Sequence, residues 1–141
     1  MNTTNNLKQA VPFFMVRNIE ASLDFYIKAL GFALKLDWKP RGKIEWCWLE
    51  RDGVALMLQE YRSEWLPVEK PGIGVSICFM CHDALKLYSE FSQNGLSLSE
   101  PFVGNNLWVV ELKDPDGYKI LFESQTDAPE ETLYSDWLKN I

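Results

Sequence analysis

The feature that most limits how this chain can fold is a repeat of its punctuation. Gly31 recurs as Gly95 and the pair Asp52-Gly53 as Asp116-Gly117, each 64 residues on (95 − 31 and 116 − 52). Self-similarity at a fixed offset marks two copies of one supersecondary unit. The elements between these landmarks repeat in the same order. "AVPFFMV" (10–16) is a short apolar run of strand formers, and in "NIEASLDFYIKALG" Leu23, Tyr26, Ile27 and Leu30 fall at i, i+3, i+4 and i+7. That spacing is the stripe of an amphipathic helix. Asn18 suits the cap at its start, and Gly31 the left-handed position after its end. "FALKLDW" and "IEWCWLER" alternate as strands, and Asp52-Gly53 signals a tight hairpin into "VALMLQE".

After the connector "YRSEWLPVEKPGIG" the order returns: "GVSICFM" reads as a strand, "DALKLYSEFSQNG" as a helix, and "LSLSE", "LWVVELK" and "YKILFES" as strands, with a "DPDG" turn before the last. One βαβββ unit alone would leave a sheet face uncovered. The expected fold is therefore α+β, with two βαβββ modules forming a curved mixed sheet, helices outside and a concave face inside. Residues 9–125 would make one domain, with modules 9–60 and 73–125. The tail, 126–141, reads as a short C-terminal helix: Pro129 suits its first position, and Glu130 and Glu131 complement the helix dipole. Its apolar stripe of Leu133, Tyr134, Trp137, Leu138 and Ile141 must dock on its own chain or on a partner. The first nine residues are polar and expected to fray.

Charge and composition exclude some partners. A net charge of −6 at pH 7 argues against nucleic acid and against an anionic membrane. No run is long and apolar enough to span a bilayer, and the N-terminus lacks the basic and apolar regions of a signal peptide. A cytoplasmic location is expected, with Cys47, Cys78 and Cys81 as free thiols. Six Trp, eight Phe and five Tyr exceed what a core of this size needs, which points to an aromatic-lined pocket.

"CFMCH" (78–82) has the C-x-x-C-H spacing of covalent haem attachment and holds the only histidine. On a continuing strand, however, residues three apart point to opposite faces, with Cα atoms roughly 10 Å apart. A disulfide or a chelate needs the sulfurs to converge, so the match is read as coincidence.

Strand alternation assigns the faces. If Asp52-Gly53 closes a two-residue turn, Cys47, Leu49, Leu56 and Leu58 share the helix-covered face, and Trp46, Trp48, Ala55, Met57 and Gln59 face the concavity. In the second half Val75, Ile77 and Phe79 belong under a helix, which turns Gly74, Ser76, Cys78 and Met80 toward the concavity.

The stretches "VRNIEASLDFYIKALGF" and "ELKDPDGYKILFES" resemble the vicinal oxygen chelate superfamily, which includes glyoxalases, extradiol dioxygenases and bleomycin-resistance proteins. The resemblance covers about residues 9–125 and is specific for the fold rather than for one reaction. It implies that metal-using members carry His, Glu or Gln on four strands, at positions that here are Val11, Met57, Gly74 and Leu121. None is a hard or borderline donor, so no metal and no cofactor is expected. The resemblance is nearest to the bleomycin-resistance branch, whose metal-free homodimers sequester a cationic drug.

The resulting expectation is metal-independent binding of a hydrophobic or cationic aromatic small molecule by a homodimer. Its binding residues would be Phe13, Met15, Trp46, Trp48, Met57, Ser76, Cys78, Trp108, Val110 and Leu121, with Glu45, Glu64 and Asp37 as carboxylates able to face a cation. No catalytic residue is assigned: Cys78 has no neighbouring cation in sequence to activate it. Two alternatives compete. One is a glyoxalase-like lyase or dioxygenase with displaced ligands among Gln59, Glu60, Glu123 and His82. The other is a structural module whose concavity is filled by its own side chains.

Overall fold

A computed structural model describes residues 5–141; the first four residues of the polar N-terminal stretch lie outside the described residues. The first module comprises β1 (Phe13–Val16), α1 (Ile19–Leu23, running on as a π-helical stretch over Asp24–Ala29), β2 (Ala33–Trp38), β3 (Trp46–Arg51) and β4 (Val54–Glu60). The second comprises β5 (Ser76–Met80), α2 (Ala84–Gln93), β6 (Phe102–Gly104), β7 (Leu107–Lys113) and β8 (Lys119–Gln125), followed by α3 (Tyr134–Leu138). Within the chain the strands divide into two four-stranded mixed sheets, ordered β1-β4-β3-β2 and β5-β8-β7-β6. The first and last strands of each module pair in parallel, and the rest are antiparallel.

Local chemistry sets the boundaries. The Asn18 side chain accepts a hydrogen bond from the Ala21 N–H, and Gly31 ends the first helix at φ +79°. Asp52 and Gly53 both have positive φ, as a two-residue hairpin turn requires, and Arg51 pairs with Val54 across it. Asp83 caps α2 through the Lys86 N–H.

Two expectations are corrected. "LSLSE" (96–100) is not a strand; pairing with β7 begins only at Phe102, opposite Val109. The tail helix starts at Tyr134 rather than near Pro129, because Glu131 takes a left-handed φ of +67°. The Glu131 N–H and the Thr132 carbonyl instead bond to the backbone of Val103. Part of the stripe docks on its own chain: the Trp137 and Tyr134 rings lie 5.6 and 6.1 Å from that of Trp108, while Leu133, Leu138 and Ile141 stay exposed.

The helix-covered faces of both sheets share one core. Phe14, Tyr26, Phe32, Cys47, Leu49, Leu56 and Leu58 come from the first module, and Phe91, Val110, Ile120 and Phe122 from the second. Phe14 stacks on Tyr118 at 4.0 Å, and Phe32 meets Phe79 at 5.9 Å. Polar clamps cross the same seam. Tyr26 donates to Asp114 Oδ2 at 2.8 Å, Tyr118 donates to the Met15 carbonyl at 2.8 Å, and Arg51 grips both Glu90 oxygens at 2.7 and 2.8 Å. The connector closes against this seam at Gly72, whose N–H bonds to Asp116 O. A Cβ there would fall 2.1 Å from the Tyr118 nitrogen, so only glycine fits.

Candidate functional site

With the helix-covered faces turned together, the other face of each sheet points away from the shared core. On the first sheet that face is aromatic and apolar. Phe13 lies opposite Met57, Met57 opposite Trp48, and Trp48 opposite Leu36; one step along, Met15 and Trp46 flank Gln59, with Trp38 beyond Trp46. Phe13 is 49% exposed, Trp38 45% and Leu36 59%, while Met15, Trp46, Trp48 and Met57 are half-buried. The Trp48 indole N–H donates to Glu50 at 2.7 Å, which fixes the ring over the sheet.

The corresponding face of the second sheet is more polar. Ser76 lies opposite Lys119, Cys78 opposite Leu121 and Met80 opposite Glu123, while Glu111 sits across from Leu121 on the other side. Lys119 and Glu111 form an ion pair at 3.4 Å. Ser76 and Cys78 are exposed.

Trp108 and Val110 do not share this face. Their cross-strand partners are Ser124 and Phe122, which puts both on the helix-covered side, 4% and 0% exposed. Trp108 holds the tail; Glu111, which the sequence reading passed over, takes the open-face place on β7. Val75 is corrected as well: it precedes β5 and is 39% exposed, whereas Ile77 and Phe79 pack on the core. Glu45 points away from the aromatic face too, sharing the side of Cys47 and Leu49. None of the ten expected binding residues lines the five main clefts formed by the described residues of the single chain. The eight other than Trp108 and Val110 lie on two open faces.

The family model for the glyoxalase/bleomycin resistance protein/dioxygenase superfamily matches residues 7–122. The chain belongs to that superfamily. Its fold is shared with a superfamily structure from Nocardioides (TM-score 0.65, 17% identity, 90% of each chain covered). It is shared as well with TnmS3, described as an antibiotic binding protein, from Streptomyces sp. CB03234 (TM-score 0.64, 22% identity, 86% of this chain and 100% of that one). TioX from Micromonospora sp. ML1 is similar at TM-score 0.64 and 16% identity over 86% of this chain and 99% of that one. The chain matches no curated protein.

The superfamily's metal positions can be tested against the residues in place. Met57 and Leu121 occupy the middle of β4 and β8 on the open faces, Val11 precedes β1, and Gly74 precedes β5. One thioether is the only donor among the four side chains, and a soft one. Among the described residues no three His, Cys, Asp or Glu side chains converge as a metal-holding group. The displaced candidates are scattered. Gln59 and Glu123 lie on different sheets. Glu60 accepts from the Ile19 N–H and from Lys43 on the helix side, and His82 lines a cleft at the seam beside Arg51 and Lys86. The donor set does not fit a divalent metal.

The "CFMCH" cysteines diverge as strand alternation requires. Cys78 sits on the open face with its Sγ 3.7 Å from the Met80 Sδ, while Cys81 packs against the core and contacts the Glu123 carbonyl at 3.5 Å. Burial, with the Glu123 carboxylate beside it, pushes the Cys78 thiol up to about 12. At neutral pH it stays protonated and is a poor nucleophile.

Proposed function

We propose that this protein binds a flat hydrophobic or cationic aromatic small molecule, without a metal, and that two copies pair so that the aromatic face of one chain meets the polar face of the other. The observation that carries this reading is the aromatic face itself. Trp38, Trp46, Trp48, Phe13 and Met57 lie side by side on one sheet, open to the outside. Aromatic rings gain from stacking and burial, and an open apolar patch of this kind marks a binding surface. Across the paired faces Glu111 and Glu123 would meet the cationic edge of the ligand, leaving its rings to the tryptophans. The antibiotic-binding description of TnmS3 supports a small-molecule role on this fold. The protonated Cys78, and the lack of convergent metal donors among the described residues, favour sequestration over catalysis, and three free thiols suit a cytoplasmic setting.

The test is tryptophan fluorescence titrated with a panel of polycyclic aromatic amines in the presence of a strong chelator. Saturable quenching is expected, weakened about tenfold or more in Trp48→Ala, the loss of one stacked ring in a desolvated site. No quenching across the panel, or quenching that appears only when a divalent metal is added, would overturn the reading.

A further inference from the structure

Where the two modules meet on their helix-covered side, an open cleft of about 490 Å³ lies between the β3–β4 hairpin and the start of α2. Its floor is apolar and drawn from both modules, with Phe32 from the first and Phe79, Leu87 and Phe122 from the second. The three phenylalanines form one ladder, with ring centres 5.9 Å apart from Phe32 to Phe79 and 5.3 Å from Phe79 to Phe122. Packing stops short of closing the cleft. Phe79 and Leu87 are only half-buried, and Val54 and Met80 stand at its edge 44% and 62% exposed. Large apolar side chains left bare around a concavity mark a place that receives something apolar.

The rim is charged, and its charges are unequally engaged. Arg51 holds both oxygens of Glu90 at 2.7 and 2.8 Å and lies 3.8 Å from Asp52, while Asp83 accepts from the Lys86 N–H at 3.0 Å as the cap of α2. Each rim carboxylate thus has a partner within the chain. The Lys86 ammonium has none: the residue is exposed and, among the described residues, forms no ion pair. His82, on the same rim, is exposed as well and has an N–H to give. The cleft therefore offers one unpaired cation above an apolar floor. A dianion such as a phosphate monoester would be repelled by Asp52, Asp83 and Glu90 close by, whereas one carboxylate matches one ammonium.

We infer that this cleft binds a small apolar molecule carrying a single carboxylate, its hydrocarbon on the Phe32–Phe79–Phe122 floor and its carboxylate at Lys86. It is a site separate from the aromatic face. The two share no residue, and the cleft lies on the side of the sheets from which that face points away.

The test is amide NMR of the full chain titrated with 4-phenylbutyrate and, separately, with 4-phenylbutan-1-ol, which has the same hydrocarbon but no charge. 4-Phenylbutyrate is expected to shift the amides of residues 79–87 saturably. The alcohol should bind there about fivefold more weakly, the upper end for an ion pair open to water. Lys86→Gln should bring the carboxylate down to the alcohol's affinity, and Val54→Asp, at the exposed edge, should weaken both. The amides of residues 46–48 are expected to stay in place, so the cleft is tested apart from the aromatic face. Equal affinity for acid and alcohol, undiminished binding in Lys86→Gln, saturable shifts confined to the aromatic face, or no saturable shift at all would each overturn the inference. The comparison of the two probes uses the native chain, so it stands whether or not a variant folds.

Discussion

Replacing Tyr26 by Phe removes a single hydroxyl and tests what holds the two sheets together. Tyr26 is fully buried on α1, and its hydroxyl donates at 2.8 Å to Asp114 Oδ2, 88 residues away at the start of the turn between β7 and β8. The other Asp114 oxygen accepts from the Asp116 and Tyr118 N–H groups at 2.9 Å each. The variant therefore leaves one buried carboxylate oxygen without a donor while the turn keeps its own bonds. Losing a hydrogen bond to a charged group costs about 2 kcal/mol, roughly 5 °C in melting temperature for a chain of this size. The pH dependence makes the reasoning specific. Burial raises the Asp114 carboxyl above its ordinary value of 3.8, and the Tyr26 hydroxyl works against that rise. Between the ordinary and the raised value the folded state holds more protons than the unfolded one, so this group's contribution falls as pH climbs. Without Tyr26 the folded value rises further, and the penalty is full above it and shrinks as pH falls through it. Urea unfolding is expected to show a loss of about 2 kcal/mol at pH 7 that shrinks, toward about 1 kcal/mol, as pH falls through the raised Asp114 value and the bond becomes one to a neutral acid. A loss that stays the same or grows as the solution is acidified, or is negligible at pH 7, would refute this account of the seam.

Two further outcomes follow from the geometry. Arg51→Gln breaks the bidentate grip on Glu90 and the bond to the Leu30 carbonyl at 2.6 Å; because Glu90 is partly exposed, the expected cost is about 1 kcal/mol. Arg51 holds the Glu90 carboxyl below its ordinary value of 4.5, so the pair's stability is present above that value and is lost as pH falls through the lowered one. The gap between wild type and variant in urea should accordingly narrow in acid. Cys78, though exposed, should alkylate at pH 8 on the order of a hundredfold or more slower than a free cysteine, since its thiol sits near 12. Glu123→Gln should speed that reaction, and an unchanged rate measured by mass spectrometry would mean the carboxylate is not what holds the thiol.

How far the sequence could be read depended on whether each strand had one apolar side or two. β3 and β4 alternate, and Asp52-Gly53 fixes their register, so the placing of Trp46, Trp48 and Met57 followed from counting. β7 reads Leu-Trp-Val-Val-Glu-Leu-Lys, with apolar residues on both sides. Val109 is 6% exposed although it lies opposite Glu123 on the open side, and Val110 is 0% exposed on the other. Alternation carries no signal there, and a tryptophan expected to face a ligand in fact holds the tail. The turn after β7 gave no help: Lys113 pairs with Lys119 across five residues, a loop whose register is set by Asp114 rather than by a two-residue rule. "LSLSE" alternates but does not pair: β7 continues opposite it to Lys113, yet the ladder begins only at Phe102, just after Pro101, which has no N–H to give.

The cross-strand registers also show how the two modules have parted in chemistry. Cys78 stands on the second sheet where Phe13 stands on the first, Leu121 where Met57 stands, Glu123 where Gln59 stands, and Glu111 where Trp48 stands. One face offers rings and the other carboxylates, and within a chain each points away from the core they share. A ligand that needs both must be held either by one chain that brings its own faces together or by two chains exchanging them, and complementation separates the two cases. In a two-fold pair each site takes one face from each chain, so Trp48→Ala and Glu111→Gln homodimers are each defective at both sites. Mixed after unfolding and refolded together, they give heterodimers in which one site carries both changes and the other carries neither. With random reassortment, half the dimers are mixed, and tight binding should return to about a quarter of the wild-type site number. If each site were built within a single chain, every site would keep a defect and no tight binding would return. That result would place the ligand inside one chain and end the paired-face reading, while leaving the aromatic face itself untouched.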